Sequence, residues 1–194
     1  MVMDVKPVVL TGRRVELVPM GREHVEGLYE AGRYPEIWEI TQGTIATLDD
    51  AKSYVEKALS QQGDMRFVIK DRESGIILGS TRLFDISVAN RGLEIGSTWL
   101  TPSVWRTSVN TECKYLLLRH CFETLGTIRV QLKTDMRNTR SQRAIERLGA
   151  VKEGVLRNHM ILPNGMIRDS VYFSILDREW PSVKERLESL MNPQ

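Results

Sequence analysis

Trp105-Arg106-Thr107-Ser108-Val109-Asn110-Thr111-Glu112 is the stretch whose reading decides the fold. Upstream of it, Leu93 to Leu100 reads as a strand, and Pro102 leaves only a short link between the two. Downstream, from about Thr111 to Leu125, Leu118, Cys121, Phe122 and Leu125 recur at i, i+3, i+4, i+7, the apolar stripe of an amphipathic helix. Gly126 supplies its stop. Ile128 to Thr134 is again strand-like, with Ile128, Val130 and Leu132 on one face. Strand, loop, helix and strand from Leu93 to Thr134 make a βαβ crossover, so the two strands should run parallel with a right-handed connection. A loop that feeds a helix N-terminus presents free backbone N–H groups and a partial positive charge, which suits a phosphate. On these eight residues alone, an ordinary strand-to-helix connection fits as well.

The flanks extend the pattern on both sides. Arg13 to Val18 alternates as a strand and stops at Pro19. Arg22 to Ala31 and the segment around Ile37, Trp38 and Ile40 read as short helices. Thr47 caps a further helix, with Asp49 and Asp50 in its first turn, an apolar stripe at Tyr54, Val55, Ala58 and Leu59, and Gly63 at its end. Arg66 to Lys70, Ile76 to Phe84 and Leu93 to Leu100 are three strands joined by polar turns, most simply an antiparallel meander, with Gly79 as a bulge. Beyond the crossover, Asn138 to Gly149 is a helix in which Thr139 and Gln142 fit a capping box. Gly154 to Leu162 and Ser170 to Leu176 form a hairpin through Pro163-Asn164-Gly165, and Trp180-Pro181 opens a last helix.

The composition narrows the class. The 194 residues suit one α/β domain over the whole length, 1–194, with a full core. A hydrophobic share of 41%, a charged share of 27% and a net charge of +2 describe a globular chain and argue against a nucleic-acid partner. Cys113 and Cys121 are eight residues apart in one predicted helix, about 12 Å by helical rise, too far to bridge. They read as small core residues in a reducing compartment, and no metal-ligand spacing is present. No apolar run reaches membrane-spanning length and the N-terminus has no signal-peptide pattern, so the expectation is a cytoplasmic protein without a membrane partner.

A set of words in order carries a family resemblance. They are Arg14-Val15-Glu16-Leu17, Glu94-Ile95-Gly96, Trp105 at the head of the loop, and Asn138 followed by Ser141-Gln142-Arg143-Ala144-Ile145-Glu146-Arg147-Leu148-Gly149-Ala150. Glu153-Gly154-Val155-Leu156-Arg157, Asp169 with Ser174, and Glu179-Trp180-Pro181 complete them. With the order of elements, the chain resembles the GNAT N-acetyltransferases, in the branch of the ribosomal-protein N-terminal (alanine/serine) acetyltransferases, from about Arg13 to Leu187. The resemblance implies an α/β (α+β) fold: a mixed central sheet, an antiparallel meander, a splayed parallel strand pair at the CoA site, and helices on both faces. It implies acetyl-CoA as cosubstrate, an amine acceptor (a protein N-terminus or a small molecule), no metal, and leaves a homodimer open.

Within that frame the cofactor-binding candidates are Trp105, Arg106, Thr107, Ser108, Val109, Asn110 and Thr111 of the loop, Asn138 for the pantetheine arm, and Arg140 and Arg143 for the 3′-phosphate. Ser141 matches the general acid. Glu94 matches a base that burial would tune, and His159 is a second base candidate because no carboxylate stands in Asn158-His159-Met160. Each has a plainer alternative: capping for Ser141 and Asn138, a solvated strand end for Glu94, a surface or structural role for His159, and a solvated helix face for the basic segment Arg129 to Arg147. His24, His120 and Trp180 read as structural, and Trp105 as packing or a wall of the site. The sequence departs from the family where the loop usually carries glycines: Arg106 and Ser108 fill those positions. A non-catalytic CoA-binding or partner-docking protein on a degenerate scaffold is therefore the alternative. The acceptor pocket would be walled by Gly32 to Thr47 and Arg157 to Arg168, which carry no specific pattern.

Overall fold

The computed structural model describes residues 3–40, 43–162 and 164–192. Its strands are β1 (Leu10–Thr11), β2 (Val15–Pro19), β3 (Met65–Asp71), β4 (Ile77–Ser87), β5 (Gly92–Leu100), β6 (Arg129–Asp135), β7 (Val151–Ile161) and β8 (Ile167–Leu176). Its helices are α1 (Val25–Gly32), α2 (Leu48–Ser60), α3 (Val109–Arg119), α4 (Thr139–Leu148) and α5 (Trp180–Met191). The strands form one mixed sheet in the order β1-β2-β3-β4-β5-β6-β8-β7.

The meander β3-β4-β5 is antiparallel, as its short polar turns require. Gly79, at φ +156°, sits at a bulge where a side chain would strike the Trp99 carbonyl oxygen. The parallel pair β5-β6 is joined only at Gly92–Arg129, Leu93–Val130 and Glu94–Gln131. Both strands continue, to Leu100 and Asp135, but they part after Glu94. A cause is visible in β5. Ser97 takes a φ of +47°, and Ser97 and Thr98 together face the single residue Thr81 of β4, a bulge that bends the strand away.

Period-2 alternation gives the sheet two unlike faces. Leu93, Ile95, Val130, Leu132, Val171, Phe173 and Ile175 form one core with α3, α4 and α5. On the other face Val68 and Trp99 pack beneath α1 and α2. The helices thus lie on both faces.

Several expectations need local correction. Helix α3 starts at Val109, two residues early, and passes into a π-helical turn over His120–Thr124 before Gly126 stops it at φ +64°. The cap of α4 is Asn138, whose Oδ1 accepts from Ser141 N at 2.9 Å, not Thr139. Gln142 Nε2 donates instead to the Met136 carbonyl. The segment around Ile37 is a single 3₁₀ turn, Pro35–Ile37. Ile128 is exposed and precedes its strand. Pro163, in the expected hairpin turn, lies outside the described residues, while Gly165 at φ +80° donates to the Leu162 carbonyl. Cys113 and Cys121 are free and fully buried; burial pushes the Cys113 thiol up to about 12 and the Cys121 thiol further up. No helix of the described residues is long and apolar enough to cross a membrane.

Candidate active site

The loop stands at the open mouth of the splayed pair. Arg106 has a φ of +61°, the left-handed conformation that favours glycine, although its side chain is that of an L-residue. Its backbone therefore keeps the shape a glycine would give, with the side chain exposed to solvent. Ser108, the residue before α3, has an ordinary right-handed conformation and needs no glycine. Val109 N–H is turned to Thr107 Oγ1 at 3.3 Å, and the loop runs straight into α3, whose first-turn N–H groups precede any carbonyl four residues back within the helix. Donors at the start of a helix fit a polyanion such as a pyrophosphate.

Trp105 is half-buried and anchored by its Nε1–H to the Leu100 carbonyl at 2.8 Å. The Arg140 guanidinium lies 4.5 Å from the centre of its ring. This contact joins the loop after β5 to the first turn of α4, across the mouth of the cleft. Arg143 and Arg147 point from α4 without an ion-pair partner among the described residues. The rest of the basic segment is engaged: Arg129 with Glu153, Lys133 with Glu94 and Asp85, Arg137 with Asp135.

At the closed end of the cleft is Glu94. It is not a solvated strand-end charge: it is 1% exposed. Gln131 Nε2 donates to its Oε2 at 2.8 Å, and Lys133 Nζ stands 3.0 Å from the same oxygen. Burial raises its carboxyl above the usual range, with the Gln131 bond and the Lys133 charge pulling the other way. Gly96, on the same face, keeps this corner open, since a Cβ there would press on the Phe84 ring.

His159 belongs to a polar row on β7 and β8. Its Nδ1 is 2.9 Å from Ser170 Oγ and its Nε2 is 3.2 Å from the Tyr172 hydroxyl. Burial, then the charges of Lys133 and Arg168, hold its pKa below the ordinary imidazole value, so the ring is neutral at neutral pH. Ser141 lies in the first turn of α4, and its hydroxyl does not cap the helix. No contact joins Ser141 to Glu94 or His159 among the described residues. The structure thus brings Glu94 together with Gln131 and Lys133, and Trp105 with Arg140. It leaves His159 and Ser141 in separate places.

Gln131, as a partner of Glu94, escaped the sequence reading, although the alternation of Val130 and Leu132 with Gln131 and Lys133 was a signal of a polar strand face. Lys114 also escaped it. It is buried in α3, donates to Thr98 Oγ1 at 2.6 Å, and desolvation lowers its pKa to about 8. Among the described residues no group of His, Cys, Asp and Glu has the geometry to hold a metal ion.

A meander, a crossover whose parallel strands part midway, and a donor-lined loop at the mouth define an acetyltransferase-type fold. The comparisons agree. Residues 14–151 match the acetyltransferase (GNAT) domain family, and the chain belongs to that family. It is 33% identical over 110 residues to the Bacillus subtilis protein named "Putative ribosomal N-acetyltransferase YdaF", covering 57% of this chain and 59% of that relative, about three fifths of its length. An uncharacterized N-acetyltransferase p20 of Bacillus licheniformis is 28% identical over 175 residues, covering 88% of this chain and 94% of the relative. The crystal structure of a GCN5-related N-acetyltransferase from Brucella melitensis superposes with a TM-score of 0.91 at 30% identity, covering 97% of this chain and 87% of that one.

Proposed function

We propose that the protein transfers an acetyl group from acetyl-CoA to a primary amine, either a protein α-amine or the amine of a small molecule. The observation that supports this most is the parting of β5 and β6 after Glu94–Gln131, with a donor-lined loop at the mouth of the gap and a buried carboxylate at its apex. In this reading the backbone N–H groups of Arg106 to Thr111 receive the pyrophosphate, and Arg106 can fold its guanidinium over it. Trp105 holds Arg140 at the rim, where Arg140 and Arg143 meet the 3′-phosphate. Asn138 spends its Oδ1 on the cap, so its amide nitrogen remains to donate to the pantetheine arm.

The thioester supplies an activated acyl carbon, so the protein's work is orientation and two proton movements. Glu94, kept from water and raised by burial, takes the proton from the attacking amine. Ser141 gives a proton to the departing thiolate from the first turn of α4. His159, its two ring nitrogens held by Ser170 and Tyr172, is the alternative to Glu94 as base. The name of the Bacillus subtilis relative makes a ribosomal-protein N-terminus the first macromolecular acceptor to try.

A non-catalytic CoA-binding protein is the second reading. It is favoured by the side chains of Arg106 and Ser108 in the loop and by the Lys133 ammonium already seated on Glu94. Calorimetry with acetyl-CoA, followed by thiol release over a panel of amines, separates the two. Absence of both heat and thermal shift at millimolar acetyl-CoA would sink both; binding without turnover would select the second.

A further inference from the structure

We propose that Arg82 and Arg66 form an anion subsite beside Glu94, and that the acceptor amine carries a carboxylate; this rests on the acetyl-transfer reading above. The two arginines are direct cross-strand partners on β4 and β3, an arrangement in which like charges repel. They share one acid. Arg82 Nη1 is 2.9 Å and Arg66 Nη2 is 3.5 Å from the same oxygen, Asp64 Oδ2. No other carboxylate is within ion-pair distance of either among the described residues. Gln61 accepts a further bond from Arg66 and the Tyr54 hydroxyl is another side-chain partner, but both are neutral. The Nε atoms of both arginines are buried with no hydrogen-bond partner. The Arg66 side chain is only 10% exposed and that of Arg82 22%.

A purely structural network would balance its charges and fill its donors, because buried polar groups left unpaired are costly. Two guanidiniums on one carboxylate leave a positive charge and unused donors. A second carboxylate completes the set, and the guanidinium fork binds that group in two-point fashion.

The place of the pair gives the anion its role. Arg82 lies opposite Gly96, two residues from Glu94 on the same sheet face, roughly 7 Å along the strand. Its guanidinium packs 4.0 Å from the centre of the Phe84 ring. The Lys133 ammonium that touches Glu94 is 5.1 Å from the same ring. A nitrogen presented to Glu94 and an acid a few bonds away on one molecule would therefore reach both anchors. An amino acid has this form, and so does a peptide with an acidic residue next to its N-terminal amine. A diamine or polyamine would bring like charge against the arginines.

The test is acetyl transfer over matched acceptors: amino acids against their amides, and peptides with Asp against Asn at the second position. The acid member of at least one pair should be favoured about tenfold or more in kcat/KM, and the pair that shows it identifies the source of the carboxylate. Arg82→Gln should collapse that ratio toward one by raising KM for the acid member, and Arg82→Lys should restore part of it. Equal rates within both pairs, preference for the neutral members, no transfer to any acid member, or a ratio untouched by Arg82→Gln would overturn the subsite. If Arg82→Gln does not fold, the wild-type ratios and Arg66→Lys decide. Calorimetry with acetyl-CoA on the same wild-type sample separates the two levels. Lack of binding overturns the acetyl-transfer reading itself, whereas binding and transfer without acid preference overturn the subsite alone.

Discussion

The two faces of strands β5, β6 and β8 are made from alternate residues of the same segments, yet they differ in kind. On one face Leu93, Ile95, Val130, Leu132, Phe173 and Ile175 close under helices. On the other, Glu94 engages Gln131 and Lys133, while Ser170 and Tyr172 hold His159 of β7. Apolar burial stabilises roughly in proportion to area. A buried ion pair gains little over an apolar pair of the same shape, because desolvation offsets the attraction. The first face therefore supplies stability, and the second is where chemistry is placed.

That contrast can be broken in order of size. Phe173→Ala, in the apolar face, should cost about 3–5 kcal/mol in chemical denaturation, since it removes a fully buried ring. Glu94→Gln should leave the protein folded but lower kcat about 10²-fold or more; retention of the wild-type rate would move the base to His159. The same variant tests the pH linkage. Because burial raises Glu94 above its unfolded value, its favourable protonated form is fully present below the ordinary carboxylate range and is lost as pH rises through the raised value. Stability should thus fall over that window in the wild type and fall less in Glu94→Gln. Lys133→Met removes the nearby positive charge, so the carboxylate should rise further. The acidic limb of the kcat/KM profile should therefore move to higher pH. Smallest is Arg106→Gly, which relieves a left-handed L-residue and should raise stability by about 0.5–1 kcal/mol after the entropy of glycine is counted. A rise in stability with weaker acetyl-CoA binding in calorimetry would identify the Arg106 side chain as a phosphate clamp.

Much of this was legible before folding. The apolar stripe ending at Leu125 and the strands on either side required a parallel crossover, and the pair Gly92–Arg129 to Glu94–Gln131 is that crossover. Asn138 and Arg140 were placed at the correct helix start, although the capping pair was misassigned, because Asn138 and Thr139 are both good caps and only geometry separates them. Arg106 looked like damage to the loop. Its φ of +61° shows that the backbone shape survives the loss of glycine, which residue type alone cannot reveal. The Asp64–Arg66–Arg82 group was illegible, since Arg82 lies on another strand and meets Asp64 and Arg66 only through the β3-β4 register.

By itself, the sequence determined the periodicities, the stops and the crossover, since each depends on interactions within a few residues or within one pattern of alternation. The tertiary structure alone decided where β5 and β6 part, that Glu94 loses its water to Gln131 and Lys133, and that two arginines share one acid. Those outcomes are set by strand register and burial, which join residues distant in the chain and change the cost of a charge according to what surrounds it.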